Sequence, residues 1–389
     1  MNDAEKINLS ESAGSGGLSV GCVSEAGTVY NGRMDPITQA ALGAAVGHAA
    51  FHRQLGTKAM AIGALAGMFP DIDSFYGALE GPFARLVSHR GITHSVFFGP
   101  VVGTVAGWAW WRYLRWRAGP DQPIVGSLPA WIGLFIAALL SHPLLDWFTT
   151  FGTQLLAPVA RTRFALDGVA VVDPAYTAIL GLGLLGSRLL KGHARAGWPT
   201  LMAVILSTAY LLLGLRINDL AEQEAQRQLT AAGLHGYEVR AYPTMLQLPH
   251  RRLVASSADE VRIGYLSMWR PCEIEWGSAA TYTSSNVEAL LATREGAIYE
   301  WFAGGRLISR EFADGVDLIV KIVDLRYGYT LEPMDGMWGI QARFDRNGKL
   351  IGRPERFRNR PEVNGETVGK LFADAFPKTC AHTELFAGS

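Results

Sequence analysis

The chain has 389 residues, enough for two domains, and its 35 basic and 35 acidic side chains cancel to a formal charge of zero. A neutral chain without a basic block lacks the cationic footprint of a nucleic-acid-binding protein, so that class is excluded. The hydrophobic share of 49% averages two unlike halves.

Residues 1–34 are rich in Gly and Ser and lack the apolar run of a cleavable signal peptide, so they read as a disordered tail. From Pro36 the character changes. Two short apolar stretches, 37–51 and 59–70, flank His52-Arg53-Gln54-Leu55-Gly56-Thr57-Lys58. Each is shorter than the roughly 20 residues of a full span, which suggests a re-entrant hairpin or shortened spans. Clearer apolar segments follow at 94–111, 128–150, 174–190 and 198–215. Trp108, Trp110 and Trp111, then Arg112, Arg115 and Arg117, make an aromatic and basic belt of the kind found at membrane interfaces.

Beyond Arg216 the chain is charged and helical to about Leu229, and from His235 it alternates, as in 260–265 and 317–323. Alternation punctuated by turns such as Asp345-Arg346-Asn347-Gly348 predicts half-buried antiparallel strands. The expected fold is therefore a multi-pass α-helical membrane domain followed by a soluble β-rich (α+β) domain. Its parts are a tail over 1–34, a membrane domain over 35–216, a connecting helix over 217–234 and the β-rich domain over 235–389. Cys22, Cys272 and Cys380 show no CxxC spacing and define neither a disulfide framework nor a zinc knuckle.

Three motifs carry chemistry: Pro70-Asp71-Ile72-Asp73, His89-Arg90-Gly91-Ile92-Thr93-His94-Ser95 and Ser141-His142-Pro143-Leu144-Leu145-Asp146. Carboxylate oxygens mixed with imidazole nitrogens are donors for Zn²⁺, Mn²⁺ or Fe²⁺. If the apolar segments alternate direction, Asp71, Asp73, His94, Asp146, Asp167 and Asp173 meet on one membrane face. His142 and Asp146 stand at i and i+4 and so share a helix face. His48, about eight residues before the first hairpin turn, reaches a comparable depth.

An unpaired Asp mid-helix costs on the order of 2.5–3.5 kcal/mol in a membrane, so a partner such as a metal is expected. Set against that reading are bland ones: an Asx turn at Asp71 and Asp73, a core His142, a capping Thr93 or Ser95. Arg90 can clamp a phosphate or carboxylate, and His89 and His94 can ligate or relay protons. Ser95 lacks a Gly-x-Ser-x-Gly elbow and is a weak nucleophile candidate.

With Thr150–Thr153 and Asp173–Tyr176 added, these motifs resemble those of a bacterial family of inner-membrane-associated, metal-dependent hydrolases, the group that includes a LexA-regulated member. The likeness covers about 36–215. It implies a multi-pass protein of the bacterial inner membrane, metal dependence, and an acid or His in the first helix, which His48 supplies. The resulting expectation is hydrolysis with one or two divalent ions held among His48, Asp71, Asp73, His89, His94, His142, Asp146 and Asp173. Arg90, His89 and His94 are the candidate catalytic residues.

Location in a membrane suggests membrane lipids as neighbours and a lipid-like or phosphorylated substrate. Two other classes fit the same residues. One is a metal or ion transporter, since intramembrane carboxylates and histidines also mark ion paths. The other is a binding or sensor protein in which the metal only staples helices. Eight Lys and Arg in the loops opposite the site against six on its face favour an extracytoplasmic site.

Overall fold

The computed structural model describes residues 35–359 and 364–380. The expected tail over 1–34, with Cys22, lies outside the described residues. Helix α1 (Pro36–Leu55) starts on Asp35, whose carboxylate accepts from the Ile37 amide at 3.0 Å, and stops at Gly56, whose φ of 62° suits glycine. It turns back into α2 (Lys58–Met68), and the two approach so closely that a Cβ at Gly43 would lie 2.3 Å from the Gly63 carbonyl. A 3-10 turn over Phe69–Ile72 carries Asp71 into α3 (Asp73–Glu80), and α4 (Pro82–Ser88) follows.

A second 3-10 turn, Ile92–His94, precedes the long hairpin of α5 (Phe98–Ala118) and α6 (Leu128–Trp147). Ser127 caps α6, and Pro143 sits inside its last turns, where it removes one backbone donor. An irregular stretch leads to α7 (Pro174–Leu189), capped by Asp173. Helix α8 (Trp198–Ala231) then runs unbroken for 34 residues, about 51 Å at 1.5 Å per residue. The expected boundary at Arg216 falls inside this single helix. Its first half leaves Leu201, Ile205, Leu206, Leu212 and Leu213 exposed, while its second half buries Ala221, Ala225 and Leu229 under strands.

The expectation of a multi-pass helical membrane domain is overturned. Among the described residues only α6 and α8 are long and apolar enough to cross a membrane. Helices α2 and α7, with 11 and 16 residues, fall short of about 20. Helix α1 has the length but is interrupted by Gln39, His48, His52 and Arg53, and α5 ends in Arg112, Arg115 and Arg117.

The C-terminal part forms two four-stranded antiparallel sheets. The first has the order β1 (Glu238–Pro243), β2 (His250–Ser256), β3 (Glu260–Ser267) and β4 (Gly277–Ala280). Helices α9 (Ser285–Leu291) and α10 (Arg294–Ala303) lead to the second, β5 (Leu307–Asp314), β6 (Asp317–Asp324), β7 (Trp338–Phe344) and β8 (Leu350–Arg358). Helix α11 (Gly365–Ala375) ends near a disulfide between Cys272 and Cys380. That bond is one the spacing of the cysteines does not define, because 108 residues separate the partners and no local pattern announces them.

The sheets lean on the helices at one end. Arg251 Nη2 donates to the Gly168 and Gly214 carbonyls at 2.8 and 2.9 Å, and Arg326 donates to the Thr150 carbonyl. Leu86 from α4 is buried with Tyr299, Phe302, Val320 and Ile322, and Phe151 packs against the same core. This joint sets the wall of the site.

Candidate metal centre

The turn Phe69–Ile72, the 89–95 loop and the last turns of α6 converge at the end of α2. Four atoms from three motifs face one another there. His94 Nε2 lies 3.6 Å from Asp71 Oδ1 and 3.3 Å from Asp146 Oδ2, and His142 Nε2 lies 3.5 Å from each of the same oxygens. All four atoms are buried and make no hydrogen bond, and of them Asp146 Oδ2 also has the Arg90 Nε 3.1 Å away. Such atoms are costly unless something binds them. Metal–ligand distances of 2.0–2.2 Å give donor–donor separations of about 3.3–3.6 Å in a tetrahedron, the range of these four imidazole–carboxylate distances, and the ligand atoms of Asp71, His94 and His142 all lie within 4.8 Å of one another.

The outer contacts leave those lone pairs pointing inward. His142 Nδ1 donates to the Gly67 carbonyl at 2.6 Å, so its proton is assigned there and Nε2 is the free donor atom. His94 Nδ1 lies 3.2 Å from Asp73 Oδ2 and 3.0 Å from Thr93 Oγ1. Thr93 Oγ1 in turn donates to Asp73 at 2.7 Å, which leaves its lone pair for His94. Asp146 Oδ1 accepts from Gln39 Nε2 at 2.9 Å, and Oδ2, beside Arg90 Nε at 3.1 Å, is the oxygen that faces His94 and His142.

A second group adjoins the first, with Asp71, Asp73 and His89 offering ligand atoms within 4.8 Å of one another. His89 Nδ1 donates to Asp73 Oδ1 at 2.8 Å. Burial alone would raise the Asp73 carboxyl, but the His89 and His94 rings outweigh it and hold the group well below the ordinary carboxylate range. Asp71 is lowered in the same way by His142 and His94. Burial pushes His89 down despite the Asp73 carboxylate beside it, which favours a neutral imidazole.

Arg90 departs from its expected role as a clamp facing substrate. It is 1% exposed, its Nε lies 3.1 Å from Asp146 Oδ2, and its Nη1 donates to Thr149 Oγ1 at 2.7 Å. Its φ of 58° is a left-handed value that a residue with a Cβ reaches only at a cost of about 1–3 kcal/mol. The turn is held because the Arg90 amide donates to Asp73 and the Gln154 amide donates to the Arg90 carbonyl, both at 3.0 Å. The next residue must be small, since a Cβ at Gly91 would stand 2.7 Å from the Ser88 carbonyl. Phe151 closes this side, its ring 4.8 Å from the Arg90 guanidinium, 5.5 Å from the His89 ring and 5.1 Å from Phe302.

The structure thus brings together Asp71, Asp73, His89, Arg90, His94, His142 and Asp146. It leaves His48 and Asp173 apart. His48 Nδ1 bonds Thr200 Oγ1 at 3.0 Å between α1 and α8. The Asp173 carboxylate caps α7 through the Ala175 and Tyr176 amides and accepts from the Tyr210 hydroxyl at 2.8 Å. Ser95 Oγ accepts from the Phe98 amide and so serves the start of α5. Gln39, Thr149 and the Gly67 carbonyl are members that reading the sequence missed. No signal local to them exists, because Gln39 and Asp146 are 107 positions apart.

Residues 34–220 match the family model described as YdjM inner membrane protein. Over 130 residues the chain is 29% identical to Inner membrane protein YbcI of Escherichia coli (strain K12), a stretch that covers 33% of this chain and 69% of that relative. No solved structure matches. The two likenesses support a bacterial inner-membrane family for the helical part, and neither name states an activity.

Proposed function

We propose that this chain, akin over its helical part to bacterial inner-membrane proteins, is a membrane-bound metal-dependent hydrolase. The observation that carries the reading is the set of facing ligand atoms on Asp71, His94, His142 and Asp146, all buried and none in a hydrogen bond. Asp71, His94 and His142 would hold one divalent cation with Asp146 beside them, and Asp73 and His89, with Asp71, offer a place for a second. Mixed carboxylate and imidazole donors suit zinc, manganese or iron(II). A cation bound there supplies Lewis-acid chemistry, activating water and polarising a phosphoryl or acyl oxygen.

The rest falls to the chain's own residues. His89, neutral through burial and hydrogen-bonded to Asp73, is assigned to proton transfer. Arg90 holds the Asp146 carboxylate in place, and Phe151 with Phe302 keeps water from that flank. Exposed apolar side chains on α5, α7 and α8, among them Val101, Leu182 and Leu213, agree with a membrane setting and a lipid-like phosphoester substrate. The Cys272–Cys380 bond supports an extracytoplasmic face, because disulfides persist in oxidising compartments.

The test is turnover of bis(p-nitrophenyl) phosphate by the detergent-purified chain. Activity is expected to vanish on chelation and return with Zn²⁺ or Mn²⁺. His89→Gln should keep the ion held by Asp71, His94 and His142 and lose at least tenfold in kcat. Wild-type turnover no greater than that of His94→Ala would sink the proposal.

A further inference from the structure

Asp73 and Thr93 belong to the metal centre on one side and to an open groove of about 490 Å³ on the other. That volume falls within the roughly 300–1,000 Å³ usual for small-molecule sites. Its walls are mainly apolar, from Ile72, Val87, Ile92, Ala157 and Pro158. Ile72 and Ile92 are 50% and 58% exposed, an arrangement that water disfavours and a hydrocarbon chain would satisfy. Besides Asp73 and Thr93, the polar residues Ser88, Gln154 and Arg161 interrupt the apolar wall. The Ser88 hydroxyl is buried without a hydrogen-bond partner, and the exposed Arg161 is the only cationic residue among those lining the groove.

We infer that this groove seats the alkyl chain of a single-chain amphiphile whose phosphate head is shared between Arg161 and the metal centre. The inference deepens the hydrolase reading and rests on it, because a phosphate beside Asp73 is tolerable only with a cation between them. Arg161 supplies the charge complement that selects a phosphate over a neutral head, and Ser88 has a donor to offer it. The groove reaches Asp73 and Thr93, so a head seated at that end lies beside the metal centre while the chain stays along the apolar wall.

The experiment uses the full chain in nanodiscs and a twelve-carbon alkyl phosphate bearing a terminal diazirine. After irradiation the label is mapped by mass spectrometry. Label is expected on the peptides holding Ile72, Val87 or Ile92, at least fivefold above that on the exposed faces of α7 and α8. Excess dodecyl phosphate should suppress it and dodecanol should not. Ile92→Trp, which fills the groove from an exposed position, should cut the groove label at least fivefold, and Arg161→Gln should abolish the preference for phosphate over alcohol.

Uniform labelling of groove and helix faces would overturn the inference, as would equal competition by dodecanol or full labelling of both variants. Labelling needs no turnover, so a chain that labels as expected yet hydrolyses nothing refutes only the hydrolase reading. A chain that hydrolyses bis(p-nitrophenyl) phosphate but leaves the groove unlabelled refutes only the groove.

Discussion

Gln39 and His48 lie on the same helix, and only Gln39 touches the metal centre. Gln39 Nε2 donates to Asp146 Oδ1 at 2.9 Å, with both side chains buried. Gln39→Leu keeps much of the volume and removes the donor, leaving a buried carboxylate oxygen unsatisfied at a cost of about 1–3 kcal/mol. Asp146 then keeps only the Arg90 guanidinium to orient its carboxylate, and outer-shell losses of this kind weaken metal binding roughly 10–100-fold. That corresponds to about 1.4–2.7 kcal/mol.

His48 sits nine residues further along α1, about 13 Å away and on the opposite side of the helix at 3.6 residues per turn. His48→Ala should therefore change zinc affinity by less than about twofold, since it removes a bond to Thr200 and no ligand. The assay is zinc titration of each detergent-purified variant against a chromophoric chelator, after circular dichroism confirms folding. Equal losses in the two variants, or a larger loss in His48→Ala, would refute the assignment of the centre.

Two further outcomes follow from buried contacts. Arg90→Ala removes the guanidinium 3.1 Å from Asp146 and should destabilise the metal-free protein by about 3–5 kcal/mol, read by thermal unfolding; a loss under 1 kcal/mol would show that the pair is not holding the site. Cys272 and Cys380 should resist maleimide until reduced, and Cys272→Ser should cost about 2–5 kcal/mol, whereas immediate labelling of both in unreduced protein would contradict the bond.

The site was more legible than the fold around it. His89, His94, His142 and the three Asp stood in short motifs whose donor chemistry is visible without a structure, and the i, i+4 spacing of His142 and Asp146 holds on α6. What stayed hidden was long-range or conformational. The left-handed backbone at Arg90 turns its guanidinium inward, and no composition rule reveals that. Asp173 lies beside Gln39 and Asp146 on a cavity of about 20 Å³, but its oxygens are taken by the start of α7.

In the fold, alternation at 260–265 and 317–323 corresponds to β3 and β6. Counting spans failed because an apolar window does not separate a membrane span from a helix that packs on its neighbour. Helix α2 is such a case, Gly63 and Gly67 meeting Gly43 on α1.

The most direct test of the central claim is the metal content of the detergent-purified full chain, measured by plasma mass spectrometry beside Asp71→Ala and His142→Ala variants that remain folded. The account predicts at least one zinc, manganese or iron per wild-type chain and less than a tenth of that in each variant. Wild-type protein that carries no metal and takes up none of the three when they are added would contradict it. The four facing atoms would then be carboxylate–imidazole pairs alone.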